Sequence, residues 1–193
     1  MDIELCNISK SYENHKILDS FTATFKEGET SCIMGESGSG KTTLLNILMG
    51  LIKKDSGDIN GLSNKKIAAV FQEDRLCENL NAISNVKLVC GNMYSTKEYI
   101  EAFNNVGLHN CEYKPVRDLS GGMKRRVAIL RAVMSKPDIL FMDEPFKGLD
   151  DETYIEVVNY VLNNKNKSTI IMVSHDLRDL KSMKAIQYII NKL

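Results

Sequence analysis

The sequence predicts an α/β domain built around a largely parallel sheet. Short β-type runs alternate with helical patterns over most of the 193 residues, the order that yields a sheet layered with helices. Two of the runs, 139–142 and 170–173, are apolar throughout rather than alternating, as expected of parallel strands covered on both faces. A glycine-rich turn also follows one strand and opens directly into a helix, the join typical of such sheets.

Taken in order, the runs 3–8, 17–25, 30–34, 67–71, 139–142 and 169–173 read as strands. The first two, joined across 12–16, read as an antiparallel pair beside the parallel sheet. Helical periodicity covers 41–49, 120–134 and 152–162. The segment 75–114 has no convincing β run. It carries helical periodicity at 83–89 and 96–106, with Asn79, Asn81, Gly91, Asn92 and Gly107 marking its turns. It is expected to form a small helical subdomain within one domain, with 1–74 and 115–193 as the core. Residues 163–167 are polar and read as a solvated loop.

Composition excludes several classes of function. With 25 basic and 25 acidic residues the net charge is zero, which argues against nucleic acid as a partner. A hydrophobic fraction of 43% is that of a folded protein, not a disordered one. No apolar run approaches the length of a membrane span, and the first residues lack a signal peptide's pattern. The chain is therefore expected to stay inside the cell. Its five cysteines (Cys6, Cys32, Cys77, Cys90 and Cys111) show no metal-ligand spacing and read as reduced thiols. Cys6 and Cys32 fall in apolar strand-like runs, where cysteine acts as a small hydrophobe.

Gly35-Glu36-Ser37-Gly38-Ser39-Gly40-Lys41-Thr42 fits the pattern G-x-x-x-x-G-K followed by Ser or Thr. It follows the strand 30–34 and opens the helix 41–49, the context this motif requires. Glycines at 35, 38 and 40 let backbone amides turn inward as a nest for phosphate oxygens, and the helix start adds its own free N–H groups. Lys41 would reach the β- and γ-phosphates, and the Thr42 hydroxyl would ligate Mg²⁺. A nucleoside triphosphate is the expected ligand.

A second constellation ends the strand 139–142. Asp143 emerges at its carboxyl end, where open α/β sheets bind ligands, and suits a hold on Mg²⁺. Glu144 points elsewhere and could orient or deprotonate an attacking water. Leu119-Ser120-Gly121-Gly122 stands directly before a helix, with Ser120 as N-cap and two glycines exposing amides, which makes a second anion site.

With these motifs the chain resembles the nucleotide-binding domain of ABC ATPases, and the resemblance covers essentially its whole length in the family's order. Tyr12 matches the aromatic residue that stacks on adenine. Residues 35–43, through Thr43, match Walker A, and Gln72 matches the Q-loop glutamine. Leu119, Ser120, Gly121, Gly122 and Met123 match the signature motif. Residues 139–144 match Walker B with its catalytic glutamate, Asp150 matches the D-loop aspartate, and His175 matches the switch histidine.

The resemblance implies a P-loop NTPase (RecA-like) core with an antiparallel β subdomain and a small α-helical subdomain. It implies an ATPase using ATP and Mg²⁺, with Glu144, His175, Gln72 and Lys41 catalytic and Thr42, Gln72 and Asp143 around the metal. Two such domains pair head to tail, as homodimer or heterodimer, so that the signature of one acts in trans on the ATP of the other. Met123 departs from the family's usual glutamine, which is expected to alter coupling while leaving activity.

Residues 71–76 resemble the Q-loop surroundings of importer ATPases of the nitrate, sulfonate and taurine type. That implies permease subunits in the membrane, an extracytoplasmic solute-binding protein, and a place on the inner face of the cell membrane. The alternatives are a soluble ABC ATPase of an assembly or repair system, of the iron–sulfur scaffold type, and a nucleotide-gated module that barely hydrolyses. His15 and His109 read as surface histidines. Lys124-Arg125-Arg126 reads as a solvated helix face.

Overall fold

Hydrophobic alternation at the amino terminus folds into an antiparallel ladder. The computed structural model describes residues 1–13 and 15–193; Asn14, within the expected 12–16 connection, lies outside the described residues. In chain order the elements begin with β1 (Ile3–Tyr12), β2 (His15–Phe25), β3 (Thr30–Met34), α1 (Lys41–Leu48), β4 (Ser56–Asn60) and β5 (Ile67–Val70). They continue with α2 (Ala82–Cys90), α3 (Thr96–Asn104), α4 (Gly121–Met134), β6 (Ile139–Asp143), α5 (Asp151–Asn164), β7 (Thr169–Val173), α6 (Leu177–Ser182) and β8 (Ile186–Ile189).

The chain divides into two compact units. Met1–Ile67, Asp138–Glu144 and Lys167–Leu193 form the first, and Ala68–Pro137 with Pro145–Asn166 form the second. In the first unit, β2, β1 and β4 make an antiparallel sheet in that order. Its inner face buries Ile3, Leu5, Ile8, Leu18 and Phe25. β1 and β2 run further than their apolar residues suggest, because ladder hydrogen bonds continue to the pair Tyr12 and His15. β4 is absent from the sequence reading, since Ser56-Gly57-Asp58-Ile59-Asn60 contains one large apolar residue and looks like a turn. Pairing with β1, including Leu5 opposite Ile59, makes it a strand. Gly57 fits there because its φ is 90°, and an added Cβ would lie 2.4 Å from the Asn7 carbonyl oxygen.

The same unit holds a parallel array in which β6, β7, β3 and β8 lie side by side. Every residue of β6, β7 and β3 is buried, as the continuous apolarity of 139–142 and 170–173 predicts for β6 and β7. β8 and α6 are absent from the sequence reading; at four and six residues each is too short to establish a period. The cysteines separate: Cys32 is buried in β3 but Cys6 is exposed on β1, so Cys6 is not the core hydrophobe expected. Burial pushes the Cys32 thiol up to about 12.

The second unit is helical, and its helices start where the sequence offers caps. The Asn81 side chain accepts from the Ser84 amide at 2.8 Å, and Ser95 and Glu98 form a reciprocal capping box on α3. Ile83, Val86, Tyr99, Phe103, Val127 and Leu130 are among its buried side chains. Tyr99 meets Tyr94 edge to face at 5.6 Å.

Candidate functional site

Strand register builds the site. Ile33 of β3 and Asp143 of β6 both stand opposite Val173 of β7. The carboxyl ends of three parallel strands therefore finish in one row, which is where such sheets bind ligands. The residues directly after each strand supply the chemistry: Gly35–Thr43 after β3, Glu144 after β6, and Ser174 and His175 after β7.

The turn into α1 is left-handed at Gly40, with φ 95° and no side-chain cap. An added Cβ would lie 2.8 Å from Ile17 Cγ2, so glycine is needed for backbone shape and for space. The Lys41 side chain folds back and is largely buried. Its Nζ donates to the carbonyls of Gly35 at 2.8 Å and Glu36 at 2.7 Å. The loop thus wraps around an ammonium group, while α1 begins with unpaired amides beside it. Ser39 Oγ is buried and has no hydrogen-bond partner among the described residues. A buried hydroxyl left open in this way suits a polar ligand in the loop.

Thr42 Oγ1 donates to Asp143 Oδ2 at 2.8 Å, joining residues 101 apart in sequence. Hydroxyl and carboxylate oxygens are the donors a hard divalent cation takes. Among the described residues, no group of three or more His, Cys, Asp or Glu could hold a metal. Mg²⁺ needs no such group, because it binds through one or two protein ligands, substrate phosphates and water. The residues present fit a Mg²⁺-bound triphosphate.

Glu144 adopts φ 45°, a left-handed conformation that costs a non-glycine residue energy and clusters at functional positions. Its amide donates to the Val173 carbonyl at 2.9 Å, which pins the turn. Its carboxylate Oε1 lies 3.0 Å from His175 Nδ1. Next to His175 lies a tight buried network. Ser174 Oγ donates to Asp179 Oδ2 at 2.6 Å and accepts the Asp176 amide at 3.0 Å. Sequence reasoning selects His175 and misses Ser174 and Asp179, because a hydroxyl and a carboxylate five residues apart carry no motif.

Thus Lys41, Thr42 and Asp143 are brought together, and Glu144 meets His175. Tyr12 lies at the end of β1, 44% exposed, with Lys10 Nζ 5.4 Å from its ring centre. Gln72, Leu119 to Met123 and Asp150 belong to the second unit. There Ser120 Oγ caps α4 by accepting the Met123 amide at 3.3 Å. Asp150 caps α5 by accepting the Thr153 amide at 3.0 Å, and that bond holds its carboxyl below the usual range. Gln72 is exposed. The expected solvated face at 124–126 is corrected. Arg125 is 8% exposed, and Arg126 Nη1 donates to the carbonyls of Val106 at 3.0 Å and Gly107 at 2.9 Å. Loop carbonyls without ladder partners take up these guanidinium donors.

The ABC transporter family profile matches residues 18–147. The chain belongs to the ABC transporter ATP-binding family. Among similar members, the zinc import ATP-binding protein ZnuC of Vibrio cholerae is 34% identical, over 91% of this chain and 68% of its own length. The bicarbonate transport ATP-binding protein CmpD of Synechococcus elongatus is 37% identical, over 89% of this chain and 68% of its own. The ATP-binding cassette MJ0796, solved as a post-hydrolysis dimer bound to ADP and Pi, superposes with a TM-score of 0.81 at 30% identity. That match covers 93% of this chain and 90% of the cassette. As an ABC ATPase the chain binds ATP with Mg²⁺ and hydrolyses it. No helix among the described residues is long and apolar enough to cross a membrane.

Proposed function

We propose that this chain is the ATP-hydrolysing subunit of an ABC importer for a small organic or anionic solute. The observation that carries its power stroke is the Glu144–His175 contact of 3.0 Å, at the end of the same strand that supplies Asp143 to Thr42. Lys41 exchanges its loop carbonyls for the β- and γ-phosphates, and the amides of 36–43 take the remaining phosphate oxygens. Thr42 and Asp143, with the Gln72 side chain, would hold Mg²⁺, and the metal would neutralise charge on the phosphates. Glu144 takes a proton from the attacking water, while His175 orients that carboxylate and the γ-phosphate. Tyr12 stacks on the adenine.

A head-to-tail homodimer or heterodimer brings Ser120, Gly121 and Gly122 of one chain onto the ATP of the other, with Asp150 at the shared contact. The dimeric cassette supports this reading. Residues 1–74 and 115–193 act as the nucleotide-binding core, and 75–114 as a helical subdomain that grips the permease subunits. Exposed Leu80, Leu88, Val89, Met93 and Tyr113 support such a grip. Import is supported by the zinc relative, and an anionic solute by the bicarbonate relative. The chain would then sit on the inner face of the cell membrane and work with an extracytoplasmic solute-binding protein.

The test is a gentle cross-linked pull-down of the native protein with mass spectrometry of what accompanies it. Multi-span membrane subunits, with or without a solute-binding protein, are expected. Recovery of soluble assembly factors alone would overturn the importer reading.

A further inference from the structure

One buried arginine of the second unit serves no motif. Arg125 lies in the second turn of α4, just after Ser120–Gly122, and is 8% exposed. Its guanidinium spans three groups of one short segment. It donates to the Phe71 carbonyl, to the Gln72 carbonyl at 2.7 Å, and lies 3.3 Å from Asp74 Oδ1. Arg131, further along α4, donates to the carbonyls of Arg75 at 2.9 Å and Asp74 at 3.1 Å. Arg75 in turn stacks its own guanidinium 3.8 Å from the Phe71 ring centre. The backbone of 71–75 is therefore fixed by side chains of α4, while the Gln72 side chain remains exposed.

Both terminal nitrogens of the planar Arg125 fork donate, and both main-chain bonds fall on Gln72 and its immediate neighbour. Lysine cannot reproduce that arrangement, because a single ammonium point charge does not span two carbonyls and a carboxylate in one plane.

We propose that Arg125 is a positioning residue. By holding the Gln72 backbone to α4, it sets the direction in which the Gln72 side chain projects, and it ties that side chain to the element whose start presents the Ser120–Gly122 amides. This rests on the role given to Gln72 under the proposed function. Misplacing a positioned group by about 1 Å costs roughly a hundredfold in rate, so Arg125 controls turnover without touching nucleotide.

The experiment compares Gln72→Ala, Arg125→Met, Arg125→Lys and the Gln72→Ala/Arg125→Met double variant in the full chain. Steady-state ATP turnover is measured against ATP and against Mg²⁺, alongside thermal melting. Arg125→Met should lower kcat roughly tenfold to a hundredfold, leave KM for ATP nearly unchanged, and raise the Mg²⁺ concentration needed for half-maximal turnover. A purely structural arginine would lower the melting temperature without moving the Mg²⁺ requirement. The double variant should lose no more than Gln72→Ala alone, since the two side chains act on one contact.

If Arg125→Met does not fold, Arg125→Lys decides. It should show the same Mg²⁺ shift with a smaller loss of kcat. Wild-type turnover and Mg²⁺ requirement in a folded Arg125→Lys would overturn the proposal, as would losses that multiply in the double variant. If Gln72→Ala is itself without effect, the role assigned to Gln72 fails first and leaves Arg125 nothing to position. An impaired Gln72→Ala beside a normal Arg125→Met overturns the positioning role alone.

Discussion

Replacing Glu144 by glutamine separates chemistry from binding and from stability. Glutamine keeps the shape and length of the side chain, and its amide oxygen can still accept from His175 Nδ1 at the same 3.0 Å. Only the basic carboxylate is lost. A positioned general base contributes about 10²- to 10⁴-fold, or about 3–5 kcal/mol of barrier at 1.36 kcal/mol per decade. The change in stability is far smaller. A charge-assisted contact becomes a neutral one, and since the His175 side chain is 61% exposed, solvent screening keeps the loss below about 1 kcal/mol. For a chain of this size that is a shift of at most about 2–4 °C in Tm. Phosphate release, ATP calorimetry and light scattering with ATP read the three consequences. Turnover should collapse, ATP affinity should hold, and a closed dimer should accumulate. Turnover within about threefold of wild type, under ~0.7 kcal/mol of barrier, would show that Glu144 is not the base and refute the reasoning.

Lys41→Ala should remove a charge-assisted phosphate contact of about 1.5–3 kcal/mol, weakening ATP roughly 10- to 150-fold by titration calorimetry. Unchanged affinity would contradict the phosphate site. Gly57→Ala should destabilise by about 2–4 kcal/mol, combining left-handed strain with backbone overlap. The melting temperature should fall by about 5–15 °C, and a fall under about 2 °C would mean that β4 can yield. Alkylation of the native protein near pH 8, read by mass spectrometry, should label Cys6 and Cys77 before Cys32, Cys90 and Cys111. Cys32 also carries a pH signature. Its folded pKa of about 12 exceeds the free-thiol value of about 8.5, so folding retains a proton that the unfolded chain releases. Stability from this group is complete below about pH 8.5 and declines as pH rises toward 12. Cys32→Ala should flatten that decline in denaturant titrations, and an unchanged slope would count against it.

Much of the site is legible in sequence because its parts are local. The turn from β3 into α1 is written in three glycines, a lysine and a threonine. The apolar run of β6 ending in Asp143 announces a buried strand with an acid at its carboxyl end. Ser120 caps its helix where its residue type leads one to expect it. β4 is illegible because its strand character comes from β1 rather than from its own composition. Cys6 and Arg125 mislead for the same reason. An apolar neighbourhood in sequence does not say which face of a strand turns inward, and a basic run does not say which carbonyls lie within reach.

The sequence by itself determined the α/β class, the phosphate loop, the acid pair at the end of β6 and the family to which these motifs belong, since each depends on periodicity or spacing within a few residues. Only the tertiary structure decided that Thr42 would meet Asp143 across 101 residues, that Glu144 would reach His175, and that Arg125 would hold Gln72. Those contacts depend on strand register and helix packing, where a slip of one residue would send every side chain to the opposite face.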